Sequence, residues 1–232
     1  MRFDVLTLFP DIFPGYLSQS ILNKSIERGL VEIHVHNMRD WAEGKHNKID
    51  DTPYGGGPGM VLMVEPVVNC VRDVQKMAPE PGTVMMMTPQ GRRLNQPMVE
   101  ELTTNKRMIV LCGRYEGFDQ RVIDILQPVE VSIGDYILNG GEVAAMVLVD
   151  SLVRMVPGVL GDELSSWDDS FSRGNRMLEY PQYTRPREFE GCEVPKILLS
   201  GNHKAIDDWR KVKSLENTKE KRSDLLDNMD SE

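Results

Sequence analysis

Only three cysteines, Cys70, Cys112 and Cys192, occur in the 232 residues. Odd in number, far apart and without C-x-x-C spacing, they exclude a disulfide framework and a zinc ribbon, and reduced thiols are the expected state. Long apolar runs are missing as well. The start, Met1-Arg2-Phe3-Asp4-Val5, lacks the apolar core of a secretory signal, and no stretch approaches membrane-spanning length. A soluble, cytoplasmic chain with no membrane partner is expected. Positive charge is in deficit: the net charge of -9 argues against a generic nucleic-acid coat protein, which would be basic overall. A local basic patch stays open. Common catalytic signatures are absent too. Gly55-Gly56-Gly57-Pro58-Gly59 is followed by no Gly-Lys-Ser/Thr and has Met60 where a dinucleotide fingerprint needs its third glycine. It reads as a structured turn in preference to a phosphate cradle. No G-x-S-x-G, H-E-x-x-H or kinase set is found. His34 and His36 fall on the polar side of a strand and His46 in a basic loop, so surface placement is expected and no metal site is assigned.

What is present is an alternation of strand and helix signals over the first 160 residues. Phe3 to Leu8 reads as a strand. Tyr16 to Arg28 reads as a helix, with Leu17, Ile21, Leu22 and Ile26 at helical spacing and Gly29 as its stop. Val31, Ile33 and Val35 alternate with polar neighbours as in a half-buried strand. Further helices are expected from Glu65-Pro66 and Gln96-Pro97, where proline in the first turn costs nothing. Thr83 to Met87 is a strand closed by a Thr88-Pro89-Gln90-Gly91 turn. Strands separated by helices imply an α/β domain with a mostly parallel sheet covered on both faces.

Two segments carry most of the functional information. Gly113-Arg114-Tyr115-Glu116-Gly117 follows the apolar run Met108 to Cys112, and Ser132 to Glu142 follows Val129 to Ile133. A helix is expected after each, the second from Glu142 to Met155. Glycines after a strand let the backbone approach a ligand with its N–H and C=O groups free to read it, so both loops are expected to line one pocket. From Gly161 onward the period is lost and a polar linker or lid is expected. Between Lys196 and Arg222 eight Lys or Arg stand against four Asp or Glu, which suits short amphipathic helices with a basic face.

Cys112 to Gly117, Ser132 to Glu142, the Thr88 to Gly91 turn, Asp169-Ser170-Phe171, Tyr183-Thr184-Arg185-Pro186 and His203-x-x-Ile206-x-x-Trp209-Arg210 stand in order along the chain. Together they closely resemble the bacterial tRNA (guanine-N1)-methyltransferases that modify the guanosine immediately 3′ of the anticodon. The resemblance, which covers nearly the whole chain, implies a C-terminal trefoil knot of the SPOUT type, against the general rarity of knots. It implies residues 1–160 as the knotted catalytic domain, 161–186 as a linker or lid and 187–232 as a small, mainly helical tRNA-binding domain. It further implies a homodimer with its active sites at the subunit interface.

Carried over by position, Pro89, Gly113, Tyr115, Ile133, Gly134, Tyr136, Leu138, Gly140 and Gly141 would hold S-adenosylmethionine. Two departures stand out. Met85-Met86-Met87-Thr88 replaces the expected tyrosine and serine, and the stretch between Phe171 and Tyr183 is slightly long. The chemistry needs a base for the guanine N1 proton and a cation for charge gathering at O6. The resemblance assigns Asp169 and Arg154 to these roles, with Asp168 as rival base. Glu116 is a third candidate, placing the target base or a magnesium ion. Bland readings exist: Tyr115 and Tyr136 as core aromatics, Arg154 as a surface partner of Asp150 four residues earlier. Two other classes stay open, another α/β enzyme with a nucleotide cofactor and a non-catalytic RNA-binding module.

Overall fold

The computed structural model describes residues 1–44, 47–160, 169–172 and 176–227. Two compact units are formed, Met1–Gly161 and Asp162–Glu232. His46, Trp167 and the rival base Asp168 lie outside the described residues.

The first unit contains β1 (Arg2–Thr7), β2 (Glu32–Asn37), β3 (Asp50–Asp51), β4 (Val61–Leu62), β5 (Thr83–Arg93), β6 (Arg107–Cys112) and β7 (Val129–Ser132). Five of these make one sheet in the order β2-β1-β6-β5-β7, every pairing parallel. β3 and β4 form a separate antiparallel pair. Side-chain alternation builds two cores: Phe3, Val5, Met108, Val110 and Cys112 face one way, Leu6, Ile109 and Leu111 the other. Since both faces are covered, β6 is buried at all six positions, and after Arg107 it reads as an unbroken apolar run from Met108 to Cys112.

The helices of this unit are α1 (Phe13–Leu17), α2 (Ser20–Glu27), α3 (Val64–Lys76), α4 (Gln96–Leu102), α5 (Gln120–Leu126) and α6 (Gly141–Val153). α2, α4 and α6 bury apolar residues in the first core; α3 and α5 do so in the second. Local chemistry sets their ends. Asn95 accepts a hydrogen bond from the Met98 N–H at 3.0 Å to open α4, Asp119 accepts from the Arg121 N–H at 2.9 Å to open α5, and Gly29 turns the chain at φ +68° after α2. The single helix expected over Tyr16 to Arg28 is two. Ser18 closes α1 by donating its N–H to Pro14 O, and Ser20 restarts the chain from φ +52°, a conformation no continuing helix holds.

Two further expectations are corrected. The Thr88 to Gly91 turn does not end β5: Met87 and Arg92 both stand opposite Val131, so the chain bulges by four residues and then pairs with β7 again. Gly91 is the point of contact, where a Cβ would collide with Val131 N and the Glu130 carbonyl, all backbone. His36 is not a surface residue. Its Nε2 lies 3.0 Å from Asp4 Oδ1, and only 15% of the side chain is exposed. Asp4 is fully buried and also meets Arg2 and Arg107, at 2.8 Å each. Burial would raise the Asp4 carboxyl, but hydrogen bonds from His36, Arg2 and Arg107 outweigh it and hold the group well below the usual carboxylate range. Arg107 also donates to the carbonyls of Val74, Gln75 and Glu80, closing the end of α3.

In the second unit β8 (Glu188–Phe189) and β9 (Cys192–Glu193) form a small hairpin. Where short helices are expected, a 3-10 turn at Lys196–Leu199 precedes one long helix from His203 to Lys221, opened by the Asn202 side chain accepting the Ala205 N–H at 3.2 Å, and a short helix follows at Asp224–Asp227. Ser214 donates its hydroxyl to Leu178 O at 2.6 Å, and Thr218 accepts the Leu178 N–H at 3.0 Å. Lys204, Lys211 and Lys219 on this helix are exposed.

Candidate functional site

At the C-terminal end of the parallel sheet a cavity of about 340 Å³ opens between the Thr88 to Gln90 turn within β5 and the loops after β6 and β7. Ligands of open α/β sheets bind at this end, because successive loops diverge there. Pro89, Gly113, Tyr115, Ile133, Gly134, Tyr136, Leu138, Gly140 and Gly141 all line it, and so does Glu116. All nine expected cofactor positions are thus brought to one wall. Met86 and Met87 line it too. Tyr115 and Tyr136 are more than half exposed, which removes their reading as core aromatics.

The loops are held by their own backbone. Gly141 donates its N–H to Gly113 O at 2.8 Å, tying the start of α6 to the end of β6. A Cβ on Gly141 would lie 2.9 Å from both Cys112 Cα and Gly113 N. Tyr115 and Gly117 take φ of +60° and +102°, so the first loop turns sharply with its N–H groups turned out of the strand direction. The Tyr136 ring lies over Gly134, which has φ +149° and no room for a Cβ. Glu116 donates its N–H to Met60 O at 3.0 Å, and Leu62 donates to Gly117 O at 2.9 Å. The glycine-rich turn before Met60 is therefore fastened beside the first loop, with the Glu116 carboxylate covering Gly59. It serves as a support, and none of Gly55 to Gly59 lines the cavity.

Sequence reasoning missed a polar chain behind this wall. Glu142 is 1% exposed, with Oε2 2.9 Å from Arg114 Nε, and Oε1 accepts the Thr7 hydroxyl at 2.8 Å. Burial pushes the Cys112 thiol up, and the nearby Glu142 carboxylate adds to this against the pull of Arg114. A signal was available: Glu142 is the sole charge before Asp150 in the apolar helix Gly141 to Val153, and a carboxylate on a buried helix needs a cation.

Arg154 stands apart from the cavity. It is the C-terminal cap of α6, and at about 1.5 Å per residue the helix places it roughly 20 Å from Gly141 along the axis. Exposed Val143, Val147, Asp150 and Arg154 form one face of α6. The Asp150 carboxylate accepts the Tyr16 hydroxyl at 3.1 Å. Asp169, in the second unit, is half-buried, and its carbonyl accepts the Ser172 N–H at 3.1 Å. Among the described residues no group of three His, Cys, Asp or Glu could hold a metal ion, and no helix is long and apolar enough to cross a membrane.

The family described as tRNA (Guanine-1)-methyltransferase TrmD matches residues 1–228. A tRNA (guanine-N(1)-)-methyltransferase of Rhodopirellula baltica is 66% identical over 227 residues, 97% of this chain and 94% of that protein. Proteins of the same name from Geobacillus kaustophilus and Carboxydothermus hydrogenoformans are 53% and 51% identical, covering 98% and 97% of this chain and 92% and 87% of their own lengths.

Proposed function

The chain belongs to the tRNA (guanine-1)-methyltransferase family, an S-adenosylmethionine-dependent enzyme class, and from this premise we propose that it methylates N1 of the guanosine immediately 3′ of a tRNA anticodon. The observation that carries the reading is the extent of the match, which runs through both glycine loops, Arg154 and Asp169. The cavity supports it, since about 340 Å³ is within the range of small-molecule sites, roughly 300–1,000 Å³. S-adenosylmethionine supplies an already activated methyl group on its sulfonium. Residues of this chain then have two tasks: the backbone of the two loops orients the donor, and side chains manage the proton and charge of the guanine.

Asp169 accepts the N1 proton as N1 attacks the methyl carbon, and Arg154 stabilises the negative charge that moves to O6. Because Arg154 lies at the far end of α6 from the loops of its own chain, the reading includes a homodimer in which Arg154 of one copy serves the cavity of the other. The exposed Val143 and Val147, on the same face of α6, supply an apolar surface for that contact. A trefoil knot is part of the same reading, supported by the resumed pairing of β5 with β7 and the close approach of Gly91 to the β7 backbone. Glu116 at the cavity rim would meet the target base or a magnesium ion; with no carboxylate cage among the described residues, RNA oxygens would complete such a site. The basic helix of the second unit is the proposed tRNA contact, and the activity would be cytoplasmic.

The test is single-turnover methyl transfer to unmodified tRNA, with the product mapped by nucleoside. Asp169→Asn is expected to slow the chemical step by roughly 10²- to 10⁴-fold with cofactor binding nearly unchanged, and Arg154→Ala to act on the same step. Methylation at another base, or a crippled Asp168→Asn beside a normal Asp169→Asn, would overturn the assignment.

A further inference from the structure

We propose that Arg114 and Glu142 are positioning residues whose ion pair sets the spacing of the two cofactor loops, and that Gly140 is a glycine to let that pair pass. The proposal rests on the reading of the cavity as the S-adenosylmethionine site. The backbone of Arg114 belongs to the first loop and bridges Gly140 of the second. Its guanidinium reaches three groups on two other segments: Glu142 Oε2 at 2.9 Å, the Asn139 carbonyl at 3.2 Å, and the ring of Phe9, whose centroid is 4.5 Å away. Glu142 in turn is fixed by Thr7 at the end of β1, and Thr7 Oγ1 accepts the Phe9 N–H at 2.9 Å. One side chain thus ties both loops to the first strand of the sheet.

Gly140 separates this reading from ordinary pocket lining. Its φ is 177°, extended backbone that any residue adopts. Conformation therefore does not require glycine there. Space does: a Cβ would collide with Arg114 Nε and Cδ and lie 2.6 Å from Glu142 Oε2. These are the atoms of the ion pair. Glu142 is 1% exposed, and a buried carboxylate deprived of its cation holds its site poorly, so the loops lose their common anchor when either partner goes.

The test is a double-mutant cycle on the full chain, read by S-adenosylmethionine calorimetry and by hydrogen exchange of the ligand-free protein. Gly140→Ala is expected to weaken cofactor binding about tenfold alone and by less than about threefold in an Arg114→Ala background, the non-additivity of residues sharing one network. Glu142→Gln and Thr7→Val keep the local volume and should speed exchange in 113–117 and 133–141 while leaving β1, β5 and β6 protected. Arg114→Lys should recover part of the loss. At saturating cofactor the single-turnover rates of Glu142→Gln and Thr7→Val should stay near that of the unmodified chain, since neither side chain lines the cavity and placement, not chemistry, is affected. Equal Gly140→Ala penalties in both backgrounds, or unchanged loop exchange in Glu142→Gln, would overturn the proposal. Failure of the unmodified chain to bind S-adenosylmethionine would instead overturn the functional reading, and the ligand-free exchange comparison would still decide the role of the pair.

Discussion

Replacing Gly141 by alanine puts one methyl group where the two glycine loops meet. The new Cβ would sit 2.9 Å from Cys112 Cα and Gly113 N and 3.2 Å from Cys112 C. Carbon contacts settle at about 3.5–4.0 Å, so the start of α6 and the end of β6 must part by roughly 0.6–1 Å. No flexible side chain can absorb that shift, because all three opposing atoms are backbone. Overpacking of this kind costs about 1–3 kcal/mol, and for a chain of this length each kcal/mol lowers the melting temperature by roughly 2–4 °C. The hydrogen bond from Gly141 N–H to Gly113 O, 2.8 Å long, lies across the same seam. If the displaced loops lose one or two hydrogen bonds to S-adenosylmethionine at about 1 kcal/mol each, affinity falls roughly 5- to 30-fold. Calorimetric titration beside a thermal melt measures both effects. Gly15→Ala is the control: nothing lies within 4 Å of its Cβ, and in helix α1 the change should stabilise by about 0.5–1 kcal/mol. A Gly141→Ala chain with unaltered affinity and melting temperature would refute the reasoning.

Arg107→Met removes one of three partners of the buried Asp4 carboxylate, leaving Arg2 and His36, and takes the donor from the Val74, Gln75 and Glu80 carbonyls, so it should cost about 1–3 kcal/mol in urea unfolding. Because the folded Asp4 carboxyl lies below its unfolded value, its contribution to stability is present above about pH 4 and is lost as pH falls toward the folded value, so Asp4→Asn should flatten the acid limb of the urea midpoint against pH. Gly91→Ala drives a methyl into the backbone of β7 and should destabilise by at least about 1–3 kcal/mol; a melting temperature within a degree of the unmodified chain would contradict the close crossing. In the second unit, Arg210 is engaged by Asp207 at 3.5 Å and by the Tyr180 ring, so exposed Lys204 and Lys211 are the better probes of RNA contact. Charge reversal at each should weaken tRNA binding and lower its salt slope by about one unit, and an unchanged slope would remove that lysine from the interface.

Periodicity and punctuation carried much of the fold. The apolar runs at the start of β5 and through most of β6, the Gln96-Pro97 start of α4 and the Gly29 stop follow from local rules that act over a few residues. Both glycine loops were legible for the same reason. Contacts made by chain segments far apart were not: Thr7 and Glu142 are separated by 135 residues, and nothing in either neighbourhood specifies the other. His36 looked exposed because alternation reports which face a side chain takes, not whether a buried carboxylate waits there. The second passage of β5 along β7 escaped notice since a Thr-Pro-Gln-Gly run ordinarily ends a strand.

The length of α6 has a genetic consequence. One end of the helix carries a wall of the cavity and the other carries Arg154, so within one copy the two proposed functions are a helix apart. If a site takes its cavity from one copy and Arg154 from the other, a Gly141-defective chain and an Arg154-defective chain are each inactive alone yet complement when mixed. Half of the sites in such a hybrid would inherit both lesions and the other half neither. Recovered activity would then follow the binomial share of hybrids, whereas sites built within a single copy would leave the mixture no more active than its parts.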